Sequence, residues 1–119
     1  MVKFKNKVVA VVGSRGVKSC AALTRRLAEL EPVEVVSGGA AGADALAASW
    51  ARAHGIPLTV LRPDYAAHGP TAATHVRNAE IVKRAALVLV VWDGQSKGTL
   101  SALRAARRLG RPVELLPLD

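Results

Sequence analysis

At 119 residues, half of them apolar and 22% charged, the chain carries enough material for one domain with a buried core, spanning 1–119. The one cysteine, Cys20, excludes an internal disulfide and a cysteine-rich zinc site, and it fits a reducing compartment. Seventeen Lys and Arg against nine Asp and Glu give a net charge of +8, which calls for an anionic partner.

No apolar run reaches the roughly eighteen residues of a membrane span, and Met1 to Lys7 lead straight into a short apolar segment rather than a signal-peptide core. A cytoplasmic protein with no membrane association is expected. Much of the positive charge falls late in segments of helical pattern: Arg25, Arg26, Arg52, Lys83, Arg84, Arg107 and Arg108. Cations there complement the helix dipole, each by about 0.3 to 1 kcal/mol. The four aromatic residues, Phe4, Trp50, Tyr65 and Trp92, are too scattered for the stacking platform that single-stranded nucleic acid uses. Nucleic acid therefore stands behind a small anionic ligand as the expected partner.

In chain order, residues 8–12 form a continuous apolar run, the pattern of a strand covered on both faces. Over 17–30, Cys20, Leu23, Leu27 and Leu30 recur at steps of three and four, predicting a helix that Pro32 ends. Residues 33–36 read as a second strand, 37–42 as a glycine-rich turn, and 43–54 as a helix stopped by Gly55. A third strand covers 58–61. Pro63, Gly69 and Pro70 make 62–71 the one long irregular segment. Helix is expected over 72–86, strand over 86–92, a loop over 93–98, helix over 99–109 with Thr99 as its cap, and a last strand over 112–116.

Strict alternation of near-continuous apolar strands with helices means a parallel sheet covered on both faces. Right-handed crossovers make 3-2-1-4-5 the expected order for this five-stranded, Rossmann-like three-layer α/β domain. Its ligand crevice belongs at the strand carboxyl ends between the first and fourth strands. The polar and glycine-rich clusters after strands one, two and four all fall at that edge.

Three of those clusters carry chemistry. Gly13-Ser14-Arg15-Gly16 leaves a strand and opens a helix, so it is either an ordinary tight turn or an anion loop with Arg15 as a fixed positive fork. Ser37-Gly38-Gly39-Ala40-Ala41-Gly42-Ala43-Asp44 lets another molecule lie on the main chain beside a helix N-terminus, which suits a phosphate. Its spacing is neither G-x-G-x-x-G nor G-x-x-x-x-G-K-[ST], so dinucleotide-cofactor binding of the usual type and ATP hydrolysis lose support. Asp44 has two open roles, first-turn acid and acceptor for ribose hydroxyls. Asp93-Gly94-Gln95-Ser96-Lys97-Gly98-Thr99 repeats the strand, loop, helix arrangement, with Ser96 and Thr99 offering hydroxyls and Lys97 either solvated or paired to phosphate.

Thr74, Arg77 and Asn78 share a helix face at spacings of three and four. Arg77 can face the crevice or pair with Glu80 on the surface. His54, His68 and His75 show no metal spacing, and no Ser/His/Asp set or carboxylate pair is present in catalytic context, so neither metal nor cofactor is expected.

Gly13-Ser14-Arg15, the stretch Ser37 to Asp44, Arg77-Asn78 and Trp92-Asp93-Gly94-Gln95-Ser96-Lys97-Gly98-Thr99, in that order, resemble the YspA-like branch of the SLOG superfamily, relatives of Smf/DprA and LONELY GUY proteins. The resemblance spans nearly the whole chain. It implies binding or sensing of a nucleotide or nucleotide-derived ligand, ADP-ribose-like molecules included, by Gly13, Ser14, Arg15, Ser37, Gly38, Gly39, Ala40, Gly42, Ala43, Asp44, Arg77, Asn78, Trp92, Asp93, Gly94, Ser96, Gly98 and Thr99. It also implies a homo-oligomer, through a helical face rather than strand edges. LONELY GUY enzymes cleave the N-glycosidic bond of nucleoside 5′-monophosphates with an arginine and a glutamate. Arg77 matches the arginine; the glutamate position, three residues after Thr99, holds Ala102, which cannot stabilise an oxocarbenium ion or activate water. Arg77 with Asp93 or Asp44 is the remaining catalytic candidate set. The Smf/DprA relationship implies the rival function, single-stranded DNA binding.

Overall fold

The computed structural model describes residues 3–119; Met1 and Val2, which begin the start read above as continuing into a strand, lie outside the described residues. Five strands and four helices alternate: β1 Val8–Gly13, α1 Ala21–Leu30, β2 Glu34–Ser37, α2 Ala43–Ala53, β3 Leu58–Val60, α3 Tyr65–Arg84, β4 Leu87–Val91, α4 Lys97–Leu109 and β5 Val113–Leu115. The strands form one parallel sheet in the order β3-β2-β1-β4-β5, as expected.

Successive side chains of a strand point to opposite faces, and that alternation builds two cores. Val9 and Val11 of β1, with Leu87, Leu89 and Val91 of β4, pack against Leu23, Leu27 and Leu30 of α1 and Ala47, Trp50 and Ala51 of α2. Ala10, Val12, Val88 and Val90 pack on the other face against Ile81 and Val82 of α3 and Ala102, Ala105 and Ala106 of α4. Burial on both faces is why the strands read as continuous apolar runs. Among the described residues, no helix is long and apolar enough to cross a membrane.

Three helix starts differ from expectation. The first helix starts at Ala21, not residue 17, because Cys20 is extended (φ −157°) and the cap comes from far along the chain. Asp119 Oδ1 accepts the Ala21 N–H at 2.7 Å, and its Oδ2 accepts from Ser19 Oγ at 2.7 Å. The segment 62–71, expected to be irregular, is helical from Tyr65 onward. Asp64 caps it by accepting the Ala67 N–H at 3.0 Å, Gly69 (φ 79°) breaks the path, and Pro70 restarts it, since proline is tolerated in a first turn. The last helix is capped by Ser96 rather than Thr99: the Ser96 Oγ accepts the Thr99 N–H at 3.4 Å and the helix begins at Lys97.

Candidate functional site

The strand order reverses between β1 and β4, and a cleft of about 360 Å³ opens there. Val12, Ile81 and Ala102 give it an apolar floor. Gly13 borders it from the end of β1 and Arg15 from the β1–α1 loop, Gly38, Ala40 and Asp44 from the β2–α2 loop and α2, Thr74, Arg77 and Asn78 from α3, and Ser96, Lys97, Gly98 and Thr99 from the start of α4.

Ser14, 1% exposed, holds the loops together. Its N–H donates to the Val91 carbonyl at 2.9 Å, its carbonyl accepts the Ala43 N–H at 3.2 Å, and its Oγ accepts the Asp93 N–H at 3.0 Å. Such close approach needs glycine at two places. A Cβ on Gly13 would lie 2.2 Å from the Val91 carbonyl oxygen, and one on Gly42 (φ +75°) 2.1 Å from that of Ser14. The first amide of α2 is thus spent inside the protein. At α4 the amides of Lys97 and Gly98 have no protein acceptor among the described residues, and both residues border the cleft.

Arg77 is half-buried. Its Nη1 donates to the Gly38 carbonyl at 2.9 Å and to the Leu61 carbonyl at 3.2 Å, and its Nε donates to Asn78 Oδ1 at 2.8 Å. Asn78, buried, passes the support on by donating from Nδ2 to the Gly98 carbonyl at 3.3 Å. Burial lowers the guanidinium's pKa, the Asp44 charge raises it, and the nearby Arg15 and Arg62 charges lower it. Asp44, also buried, accepts the Ala40 N–H at 3.1 Å through Oδ2. Burial pushes its pKa above the ordinary carboxylate value, against the pull of the Ala40 amide and of Arg77.

Gly13, Arg15, Gly38, Ala40, Asp44, Arg77, Asn78, Ser96, Gly98 and Thr99, all singled out from the sequence, thus converge on one cleft. Ser14, Ser37, Gly39, Gly42, Ala43, Trp92, Asp93 and Gly94 do not line it. Ser37 Oγ accepts the Gly39 N–H at 3.3 Å and Trp92 Nε1 donates to the Ser96 carbonyl at 3.1 Å, so both shape loops. Asp93 is exposed, and its Oδ1 accepts the amides of Gln95 at 2.8 Å and Ser96 at 3.1 Å, which lowers its pKa. Sequence reasoning missed Val12 and Ile81 as site residues; the i, i+4 step from Arg77 to Ile81 was the available signal. Ala102, three residues after Thr99, lies in the cleft floor.

The sequence model of the YspA, cpYpsA-related SLOG family matches residues 7–68. The chain is 40% identical over 85 residues to the Gene 61 protein of Mycobacterium phage D29, covering 66% of this chain and 67% of that protein. Its fold is similar to that of DNA processing protein A from Helicobacter pylori, a protein described for its single-stranded DNA binding mode. The TM-score is 0.71 at 22% identity, over 97% of this chain and 67% of the other. DNA processing protein A from Streptococcus pneumoniae matches at a TM-score of 0.66 and 23% identity, over 95% of this chain; the chain spans half of that protein.

Proposed function

The chain belongs to the YspA, cpYpsA-related SLOG family, and from that premise we propose that it binds a nucleotide or nucleotide-derived ligand in the cleft between β1 and β4. One observation carries the reading: the unpaired Lys97 and Gly98 amides of α4 border the same cleft as Arg15, Arg77 and the Lys97 side chain. A helix N-terminus flanked by cations favours a phosphate, and the apolar floor of Val12, Ile81 and Ala102 suits the flat part of a nucleoside. Asp44 is the one carboxylate bordering the cleft among the described residues, and it serves as acceptor for ligand hydroxyls. With Ala102 in the floor, the cleft holds its ligand rather than hydrolysing it.

Thermal unfolding with a panel of nucleotides tests this reading. A ligand at 100 times its Kd stabilises by about 2.7 kcal/mol, and little free base should be released from nucleoside monophosphates. Rapid base release that disappears in Arg77→Ala would favour the phosphoribohydrolase reading instead.

The net charge of +8 favours a second reading, single-stranded DNA binding, the property described for the Helicobacter pylori protein of similar fold. Its signature is an affinity for an oligodeoxynucleotide that falls steeply with salt, because bound cations are released from each neutralised phosphate.

A further inference from the structure

A second cavity, of about 220 Å³, adjoins the cleft on the neighbouring face of α3. The helix divides them. Thr74, Asn78 and Ile81 face the cleft, whereas Ala73, Val76 and Glu80 face the second cavity, and Arg77 lines both. The Arg77 Nη1 spans the divide, since one of its acceptors, the Gly38 carbonyl, belongs to a residue of the cleft and the other, that of Leu61, to a residue of the second cavity. Gly38 and Gly39 leave no side chain over this junction. A Cβ on Gly38 would lie 2.8 Å from Arg77 Nη1, and one on Gly39 2.9 Å from Arg62 Nη1, so two guanidinium groups lie against adjacent glycines.

The two cavities differ in chemistry. The cleft holds the helix N-terminus and Lys97, the features that take a phosphate. In the second cavity a small apolar wall of Leu61, Ala73 and Val76 is surrounded by charged and polar side chains, Arg62, His68, Arg77 and Arg84 together with the carboxylates Asp64 and Glu80. A small apolar wall ringed by polar groups suits one face of a planar heterocycle, whose edge the polar groups can meet, and a guanidinium stacks on such a ring. Asp64, also on this cavity, already caps the Ala67 amide. Val76 is 38% exposed although apolar, which leaves surface here for a ring to cover.

We infer that the second cavity is a subsite for the far half of a two-part nucleotide, two nucleosides joined through phosphate, whose near half occupies the cleft and whose linking phosphate passes Arg77 and Arg62. The inference rests on the proposed reading of the cleft. A free dinucleotide and a stretch of single-stranded DNA share this chemistry.

Titration calorimetry with the four nucleoside 5′-monophosphates, the corresponding 5′-phosphorylated dinucleotides and a 20-nucleotide single strand tests it. The dinucleotide of the preferred base should bind at least tenfold more tightly than its mononucleotide. Val76→Glu places a carboxylate in the second cavity, and it should bring that ratio below threefold while leaving mononucleotide affinity unchanged; Arg62→Ala should lower the ratio in the same direction. Both positions lie outside the cleft, and unfolding midpoints of both variants should match that of the parent protein. Mononucleotide binding with no gain from the second nucleoside, or a gain that survives both substitutions, overturns the second subsite and leaves the cleft reading standing. Absence of binding by mononucleotides and dinucleotides alike overturns the cleft reading and the subsite with it. Given the gain, a strand that binds more than tenfold more tightly than the dinucleotide identifies DNA as the source, and parity identifies a free dinucleotide; both outcomes support the subsite.

Discussion

The Arg77 guanidinium is fastened to the Gly38 carbonyl by a 2.9 Å hydrogen bond, at a glycine where a Cβ would meet that same guanidinium nitrogen at 2.8 Å. The arginine is therefore held by two backbone carbonyls and the Asn78 amide oxygen, with no salt bridge to a carboxylate among the described residues. Arg77→Lys keeps the charge but loses the fork that reaches Gly38, Leu61 and Asn78 together. Hydrogen bonds made by charged groups contribute about 1.5 to 3 kcal/mol each, so nucleotide affinity should fall more than tenfold in Arg77→Lys and in Arg77→Ala. Calorimetry on both variants reads this directly, and wild-type affinity in Arg77→Ala would remove Arg77 from the site.

The glycines divide into two classes. Gly42→Ala should cost more than about 2 kcal/mol in urea unfolding, because it combines a left-handed φ of +75° with a Cβ 2.1 Å from the Ser14 carbonyl oxygen. Gly98→Ala meets nothing within 4 Å and has no such φ, so folding stability should stay level or rise by about 0.4 to 1 kcal/mol. A methyl beside the free α4 amides should nonetheless weaken nucleotide binding.

Much of this arrangement is legible in the sequence, for physical reasons. Residues 8–12 and 86–92 read as strands because both faces of the sheet are covered, and right-handed crossovers then give the strand order and the place of the cleft. What stayed hidden is tertiary. Ser14 reads as a ligand residue of a glycine loop, yet its partners Val91, Ala43 and Asp93 reach it from three distant segments. Asp119 caps α1 from 98 residues away, which no local pattern announces. Tyr65 to His68 were hidden by Gly69 and Pro70, which punctuate a helix here rather than exclude one.

The cap of α4 offers a local test. Ser96→Ala removes the acceptor of the Thr99 amide and should cost about 1 kcal/mol, whereas Ser96→Gly should cost only a few tenths. Unfolding midpoints of the two variants decide the matter, and parent-like stability in Ser96→Ala would contradict the side-chain cap.

Asp44 sets a pH dependence whose sign follows from its burial. Its folded pKa lies above the ordinary value of 3.8, so between the two values the folded state binds more protons than the unfolded state. Stability contributed at this position therefore falls as pH rises from 3.8 through the folded pKa. Asp44→Asn keeps an oxygen for the Ala40 amide and has no charge to bury. It should gain stability relative to the parent protein as pH rises from about 4 to 7, a gap measurable by urea unfolding at each pH. A gap that narrows over that range would reverse the assignment.

In the proposed function, the α4 N-terminus receives the phosphate of a nucleotide held in the cleft. Amide chemical shifts followed by ¹⁵N–¹H correlation spectroscopy during titration with nucleoside 5′-monophosphates test it most directly. Saturable shifts are expected, largest at Lys97 and Gly98, extending to Arg15 and Gly38 and lost in Arg77→Ala. Shifts confined to the exposed cations Arg104, Arg107 and Arg108 of α4, with Lys97 and Gly98 unmoved, would contradict it.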